Sequence, residues 1–320
     1  MITLPAFHTS QSADRSKFYG ASDVASILGF PEAFKTAYEL WAEKTRAVPR
    51  EDISASPDIR RGNKLEAGIL DLMASDLGAE YLPGPPVHEP AIVNPDVSPY
   101  AGCHPDGFLL VPGEDVTGAE VKAPRKGSGW GDDGDEVPAH YWMQCQVCMA
   151  LTGLRRWRLG ALLYGEVRVF VLDYDEETTR QALATCDAWF ARYVLGGEEP
   201  PMDSTPAASA VYTRRIKGEV RAATDDEADL IRRYASLGAQ IKALETEREA
   251  VKVALLTAAN GARLEVGTGR AAWGIGLTAN KGRTSVDATR LREEFPAAYA
   301  ATAKVGNPFT TVRTFGIKES

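Results

Sequence analysis

Between Gly102 and Lys122 the chain reads GCHPDGFLLVPGEDVTGAEVK, and few folds can accommodate that run. A Pro-Asp-Gly turn opens it, a short apolar segment follows, and a Gly-rich connection leads to Glu120-Val121-Lys122. Strand side chains alternate with period two, so Glu120 and Lys122 share one face and Val121 takes the other. If the two short segments pair as neighbouring strands, Asp106 comes beside that face. Two carboxylates and an ammonium then converge on one point, the minimum needed to hold Mg²⁺ against a phosphate and orient a water.

The bulk properties set wide limits. The 320 residues suffice for one large domain with a smaller one, or for two. With 44% hydrophobic and 25% charged residues, the composition is that of an ordinary globular protein. No apolar run approaches the roughly 20 residues that span a bilayer, and the N-terminus lacks a charged-then-apolar leader, so no membrane association and a cytoplasmic location are expected. A net charge of −8 argues against non-specific coating of nucleic acid, yet leaves room for a local basic channel. Cys145-x-x-Cys148 has metal or redox spacing, but it sits in an apolar helical run with no second close pair. Reduced core thiols are the ordinary reading.

Along the chain, residues 1–14 read as a flexible tail. In RSKFYGASDVASILGF, Ser22 is placed as an N-cap, with Val24, Ile27 and Leu28 on one apolar helical face. The same helix N-terminus, reached through Gly20 and flanked by Arg15 and Lys17, also suits a phosphate. KTAYELWAEKTRAV gives a second amphipathic helix. In PDIRRGNKLEAGILDLMASDLGAEY, Leu65, Ile69, Leu72, Met73 and Leu77 form the stripe of a third, with Glu66 at the stripe's edge. Short strands broken by Pro and Gly follow, with Asp96 in a turn ten residues before Asp106. After Lys122 comes a Gly- and Asp-rich loop, then the helix PAHYWMQCQVCMALTG, whose Gln144 and Gln146 need polar partners. RRWRLGALLYGEVRVFVLDYD reads as two strands in a hairpin about Tyr164-Gly165, and a helix from Glu176 to about Val194 closes the unit. That alternation describes an α/β sandwich around a mixed sheet over residues 15–198.

Residues 199–222 are rich in Pro, Gly and small polar residues and read as a linker to a C-terminal unit, 223–320. There Leu230, Tyr234, Leu237, Ile241, Leu244, Val251 and Leu255 follow four- and three-residue steps, broken at Arg248. This is an a/d seam in a helix of about 35 residues, suited to packing or oligomer contact. Strands near Val266 and Trp273, a helix from about Val286 to Phe295 and a strand at Phe309–Ile317 make a small α+β extension. Its Arg263, Arg270, Lys281, Arg283, Lys304 and Arg313 suit either solvent or DNA backbone.

Glu66 on a helix, then Asp106, then Glu120-x-Lys122, then a Gln-bearing helix resembles the PD-(D/E)xK nucleases, with their restriction-endonuclease-like core. Within them, GASDVASILG, RRGNKLEAGIL, SPYAGCHPDGFLL, GAEVKAP and YWMQCQVCMALTG resemble the lambda exonuclease-like (YqaJ-type) viral recombination nucleases over residues 15 to 195. The resemblance implies that Asp106, Glu120 and the Val121 carbonyl bind metal. Lys122 would contact the attacking water or the scissile phosphate. Glu66 would complete the metal shell or help activate the water, and Gln144 would support the site. Asp96 and Gln146 are secondary candidates. Ser22 and Arg15 fall where the family contacts a terminal 5′-phosphate, and Arg125 and Lys126 would meet DNA backbone.

The implied activity is Mg²⁺-dependent exonucleolytic hydrolysis from 5′ ends of double-stranded DNA, with two ions about 3.5–4 Å apart serving the attacking and leaving oxygens and Mn²⁺ able to substitute. The implied partners are DNA ends, a single-strand annealing or recombinase protein, and further copies of the chain in a homo-oligomer of ring type. Two rival readings share the fold: an endonuclease or DNA-end processor of a restriction or defence system, and a catalytically inactive DNA-binding or assembly protein. Two features depart from the family pattern. His104 precedes the Pro-Asp, and the acidic run Asp132, Asp133, Asp135, Glu136 lies where DNA is expected to pass.

Overall fold

The computed structural model describes residues 4–10, 12–48, 56–125, 127, 129–131, 135–215, 221–260, 264–266, 273–275 and 287–303. Its contacts divide the chain into two units, Met1–Arg215 and Ile216–Ser320.

The first unit contains β1 (His8–Thr9), β2 (Tyr19–Gly20), α1 (Val24–Ile27), α2 (Ala37–Lys44), α3 (Pro57–Leu77), β3 (Glu80–Pro83), β4 (Ile92–Val93) and β5 (Ala101–Gly102). It continues through β6 (Gly107–Leu110), β7 (Thr117–Lys122), α4 (Ala139–Thr152), β8 (Arg156–Leu163), β9 (Glu166–Asp173), α5 (Glu176–Trp189) and α6 (Pro206–Arg215). Five strands form a mixed sheet in the order β3-β6-β7-β8-β9, with only β7 and β8 parallel. This is the expected central sheet flanked by helices.

β7 lies in the middle, and its alternation decides which helix each residue meets. Ala119 and Val121 pack with Ile69, Leu70, Met73 and Ala74 of α3, whose apolar stripe covers that face. Glu120 turns to the opposite face, under α4, whose Met143, Val147 and Leu151 pack with Phe108, Trp157 and Leu159. Gly118 is required between them, since a Cβ there would stand 2.1 Å from the Trp157 ring. α3 begins on Pro57, whose missing N–H costs nothing at a helix start, and stops at Gly78 in the left-handed region (φ 58°). The β8–β9 turn puts both Tyr164 and Gly165 at positive φ (53° and 94°), as a two-residue hairpin needs.

Three expectations are corrected. The supposed tail is part of the fold: β1 pairs antiparallel with β4, and Phe7 stacks on Phe108 at 5.4 Å. Ser22 is not an N-cap, because a 3₁₀ turn spans Ala21–Asp23 and the Asp23 carboxylate accepts the Gly20 N–H at 2.9 Å. Within 199–222, α6 is a packed helix, with Ala208 and Val211 buried against Tyr38, Trp41 and Ala42. Small residues served there for close helix contact, which composition cannot distinguish from a linker. The helix begun by α5 ends in a π-helical turn over Phe190–Leu195.

The second unit contains α7 (Asp225–Ala259), the antiparallel pair β10 (Leu264–Val266) and β11 (Trp273–Ile275), α8 (Ala288–Glu294) and α9 (Pro296–Thr302). α7 starts with a capping box, Thr224 accepting the Glu227 N–H and Glu227 accepting the Thr224 N–H. The expected strand at Phe309–Ile317 and the basic residues Arg263, Arg270, Lys281, Arg283, Lys304 and Arg313 lie outside the described residues.

Candidate active site

Asp106 sits immediately before β6, and the β6–β7 pairing carries it to the end of β7. Its Oδ2 accepts the Val121 N–H at 2.7 Å, which fixes the carboxylate against the Glu120-Val121-Lys122 backbone. Glu120 is 3% exposed. Its Oε1 accepts from Lys122 Nζ at 2.5 Å and from Gln144 Nε2 at 2.6 Å, while its Oε2 is buried with no hydrogen-bond partner. Lys122 also lies over the Tyr141 ring, 5.0 Å from its centroid. Sequence reasoning missed Tyr141. Its signal was position, three residues before Gln144 on the helix face that meets β7.

The charges are out of balance. Burial pushes the Asp106 carboxyl well above its usual range, and Glu120 and Glu66 push it the same way, against the pull of Lys122 and the Val121 N–H. Glu66, on the outer part of α3, is raised by desolvation and by the Glu120 charge. Burial alone would lower Lys122, but Glu120 and Asp106 outweigh it and raise it, so it carries its proton. Three carboxylates therefore face one ammonium, and one buried carboxylate oxygen lacks a donor.

That deficit fits a hard cation. The Glu120 Oε2 orphan and Asp106 could contribute to an all-oxygen donor set of the kind Mg²⁺ accepts while keeping several waters. Among the described residues, no three His, Cys, Asp or Glu side chains converge as a complete metal cage.

The residues expected to read a 5′-phosphate gather around Gly20. A Cβ on Gly20 would stand 2.8 Å from Arg15 Nη2, 3.5 Å from Asp23 Oδ2 and 3.7 Å from the Ser22 hydroxyl. β2 runs parallel to β5, with Gly20 opposite Gly102, four residues before Asp106. A buried ion pair underlies this turn and was not legible beforehand. Lys44, 9% exposed, donates to Asp23 at 2.9 Å and to the Arg15 and Phe18 carbonyls at 2.7 Å each. Burial pushes Asp23 up, but Lys44 and Arg15 hold it below the usual carboxylate range.

Other candidates are placed differently. Gln146 turns away from the site: it donates to the Asp173 carbonyl at 2.9 Å and accepts the Asp175 N–H at 2.8 Å, tying α4 to the end of β9. Asp96 is exposed in a turn capped by Asn94. Arg125 is engaged by Asp58 at 2.5 Å, which with Arg61 donating to the Ala123 carbonyl ties the loop after Lys122 to the start of α3. His104 contacts the Glu89 carbonyl. All four cysteines are free and buried. Lys126, Asp132 and Asp133 lie outside the described residues, and Asp135 and Glu136 are exposed.

Residues 12–155 match the family model of the YqaJ-like viral recombinase domain, a span that includes every residue of the carboxylate cluster. An uncharacterized protein YqaJ of Bacillus subtilis (strain 168) is 26% identical over 323 residues, covering 96% of this chain and 92% of the relative. Among solved structures, LHK-Exo in complex with dAMP aligns at 18% identity over 58% of this chain and 91% of that one, with a TM-score of 0.47. The alkaline exonuclease (LHK-Exo) from Laribacter hongkongensis aligns over the same shares at 18% identity and a TM-score of 0.46.

Proposed function

We propose that this chain is a metal-dependent deoxyribonuclease that hydrolyses one strand of duplex DNA from its 5′ ends and leaves single-stranded tails for recombination. The observation that carries the reading is the buried, partnerless Oε2 of Glu120 in one charge cluster with Asp106, with Lys122 and Gln144 saturating the other oxygen. The match to a YqaJ-like viral recombinase domain over the same residues supports it.

In this reading Asp106, Glu120 and the Val121 carbonyl would hold Mg²⁺ or Mn²⁺, two ions per site, with Glu66 either completing the shell or helping to activate the water. The ions would supply Lewis-acid polarisation of the phosphate and acidify the attacking water. The chain's own residues do the rest. Charged Lys122 stabilises negative charge developing on the phosphate oxygens, since a lysine raised in this way is a poor proton acceptor. Glu66, raised and nearer solvent, is the carboxylate best suited to accept a proton from the water. Gln144 and Lys122 keep Glu120 in a single rotamer, so that its second oxygen stays aimed at the metal position. Arg15 and Ser22 around Gly20 hold the terminal 5′-phosphate, and the tails pass to a single-strand annealing or recombinase partner. A homo-oligomer, ring-like in the family resembled, would serve processivity.

Digestion of linear and closed-circular duplexes, with 5′-phosphate or 5′-hydroxyl ends, tests this in Mg²⁺ and in chelator. The reading expects metal-dependent loss of linear duplex only, faster from phosphorylated ends, and slower in Ser22→Ala. Cleavage of closed circles would contradict end dependence, and full activity in chelator would contradict the metal.

A further inference from the structure

Lys122 is held from two directions. Its Nζ donates to Glu120 Oε1 on its own strand, and the Tyr141 ring of α4 faces it, centroid 5.0 Å from the nitrogen. Gln144, one turn further along α4, donates to that same Glu120 oxygen at 2.6 Å. Two residues that share a face of β7 are thus clamped by two residues of α4, an amide for the carboxylate and a ring for the ammonium. A lysine needs the second restraint. Its ammonium rides on a flexible four-carbon stem and donates in any direction, so a single ion pair leaves its aim loose. Among the described residues Lys122 Nζ has one hydrogen-bond acceptor, Glu120. An aromatic face attracts a cation through its quadrupole, more strongly where water is excluded, and the Lys122 side chain is only 19% exposed.

The ring is itself held in place. Trp130, 1% exposed, comes from the loop after β7 and packs on both Tyr141 and Phe170 of β9, with centroids 5.6 Å and 5.4 Å away. His140 lies against Tyr141 as well, 3.8 Å between centroids. Gly129 and Gly131 flank Trp130 at positive φ (84° and 75°), so the backbone bends on both sides of the buried indole. The Glu136 N–H donates to the Trp130 carbonyl at 3.1 Å and closes the bend. The one aromatic residue of this Gly- and Asp-rich loop is therefore buried against the ring that faces Lys122.

We propose that Tyr141 is a positioning residue, whose ring sets the Lys122 ammonium for the scissile phosphate, and that Trp130 fixes the ring. The inference rests on the reading of Lys122 as the ammonium that meets the phosphate. Tyr141 acts through Lys122, so its whole effect on the reaction passes through that side chain. A face of π electrons is what the role requires, and the phenol hydroxyl has no part in it.

Kinetics on linear duplex and NMR of the full chain test it together. Tyr141→Leu is expected to lower kcat about 10- to 30-fold, the size of a desolvated cation–π contact, with KM within about twofold. Tyr141→Phe keeps the face and keeps kcat within about threefold. In a Lys122→Met background Tyr141→Leu costs nothing further, because the ammonium it positions is gone. Trp130→Leu repeats this pattern with a smaller loss, about 3- to 10-fold. The Lys122 ε-methylene protons, assigned with Lys122→Met, give a readout without DNA or metal. Ring-current shielding sets them upfield of the other lysines in the wild type and in Tyr141→Phe, and they lose that shift in Tyr141→Leu. Urea unfolding checks that each variant is folded, with Tyr141→Met in place of a Leu variant that is not. Tyr141→Phe as impaired as Tyr141→Leu, a loss that persists in Lys122→Met, or unshifted Lys122 protons in the wild type would overturn the proposal. Full activity of Lys122→Met would instead overturn the reading of Lys122 on which it rests.

Discussion

α4 and α7 are both regular helices, and they invert each other. Nine of the fourteen residues of α4 are buried, and its polar members stand out. Along the thirty-five residues of α7 only Ala259 is buried among the described residues, and its apolar members stand out. In α4 the packing is closed: Gln144, Gln146 and Thr152 each have a hydrogen-bond partner, and only His140 Nδ1 is buried without one. In α7 the apolar side chains are largely exposed, so their spacing rather than their contacts distinguishes them. The exceptional residues carry the information in each helix, and burial decides which residues are exceptional.

The sharpest way to break this contrast is at the carboxylate site that α4 covers. Asp106→Ala and Lys122→Ala should each lower cleavage by about a thousandfold or more; Asp106→Ala should keep its unfolding midpoint near wild type, whereas Lys122→Ala leaves the buried Glu120 carboxylate unpaired and should lower it. Activity within tenfold of wild type in either would remove the site from the account.

The next effect is on stability. Lys44→Met leaves the Asp23 carboxylate buried without its ammonium and should destabilise the first unit by about 3–5 kcal/mol, measured by urea unfolding. Asp23→Asn with Lys44→Met should recover part of that loss.

The two glutamines of α4 give a smaller and more discriminating pair. Gln146→Leu strands the Asp175 N–H and the Asp173 carbonyl and should cost about 1–3 kcal/mol of stability with little change in kcat. Gln144→Leu should do the reverse, lowering kcat by about tenfold with stability nearly unchanged. Equal behaviour of the two would erase the distinction between a site residue and a structural one.

The smallest expected effect is one of pH. Asp106 is raised by burial and by Glu120, so in the metal-free protein its ionisation opposes folding as pH rises through that raised value, and acidification relieves the strain. A proton and a divalent cation compete for the same oxygens. The gain in melting temperature on adding Mg²⁺ should therefore grow from mildly acidic to mildly alkaline pH. A gain independent of pH would place the metal elsewhere.

Much of the site was legible because strand alternation fixes neighbours without tertiary knowledge. Glu120 and Lys122 had to share a face, and Asp106 had to approach it if β6 and β7 paired. Glu66 was legible as the acidic edge of a strongly patterned helix. The rest depended on packing that a single sequence does not encode locally. In α4 nearly every position is apolar, so no polar face identified whether Gln144 or Gln146 met β7. Lys44 lies at the end of an amphipathic helix with nothing local to mark it as buried, and the return of residues 15–23 buries it. Residues 4–10 and α6 carry too few apolar residues to show a period, yet the core takes them up.

The central claim is that Glu120, Asp106 and the Val121 carbonyl form a divalent-cation site. Calorimetric titration of Mn²⁺ into the DNA-free protein, wild type beside Glu120→Gln, tests it most directly. The account predicts saturable binding in the wild type and its loss in Glu120→Gln, with both proteins equally folded. Unchanged binding in Glu120→Gln would contradict it.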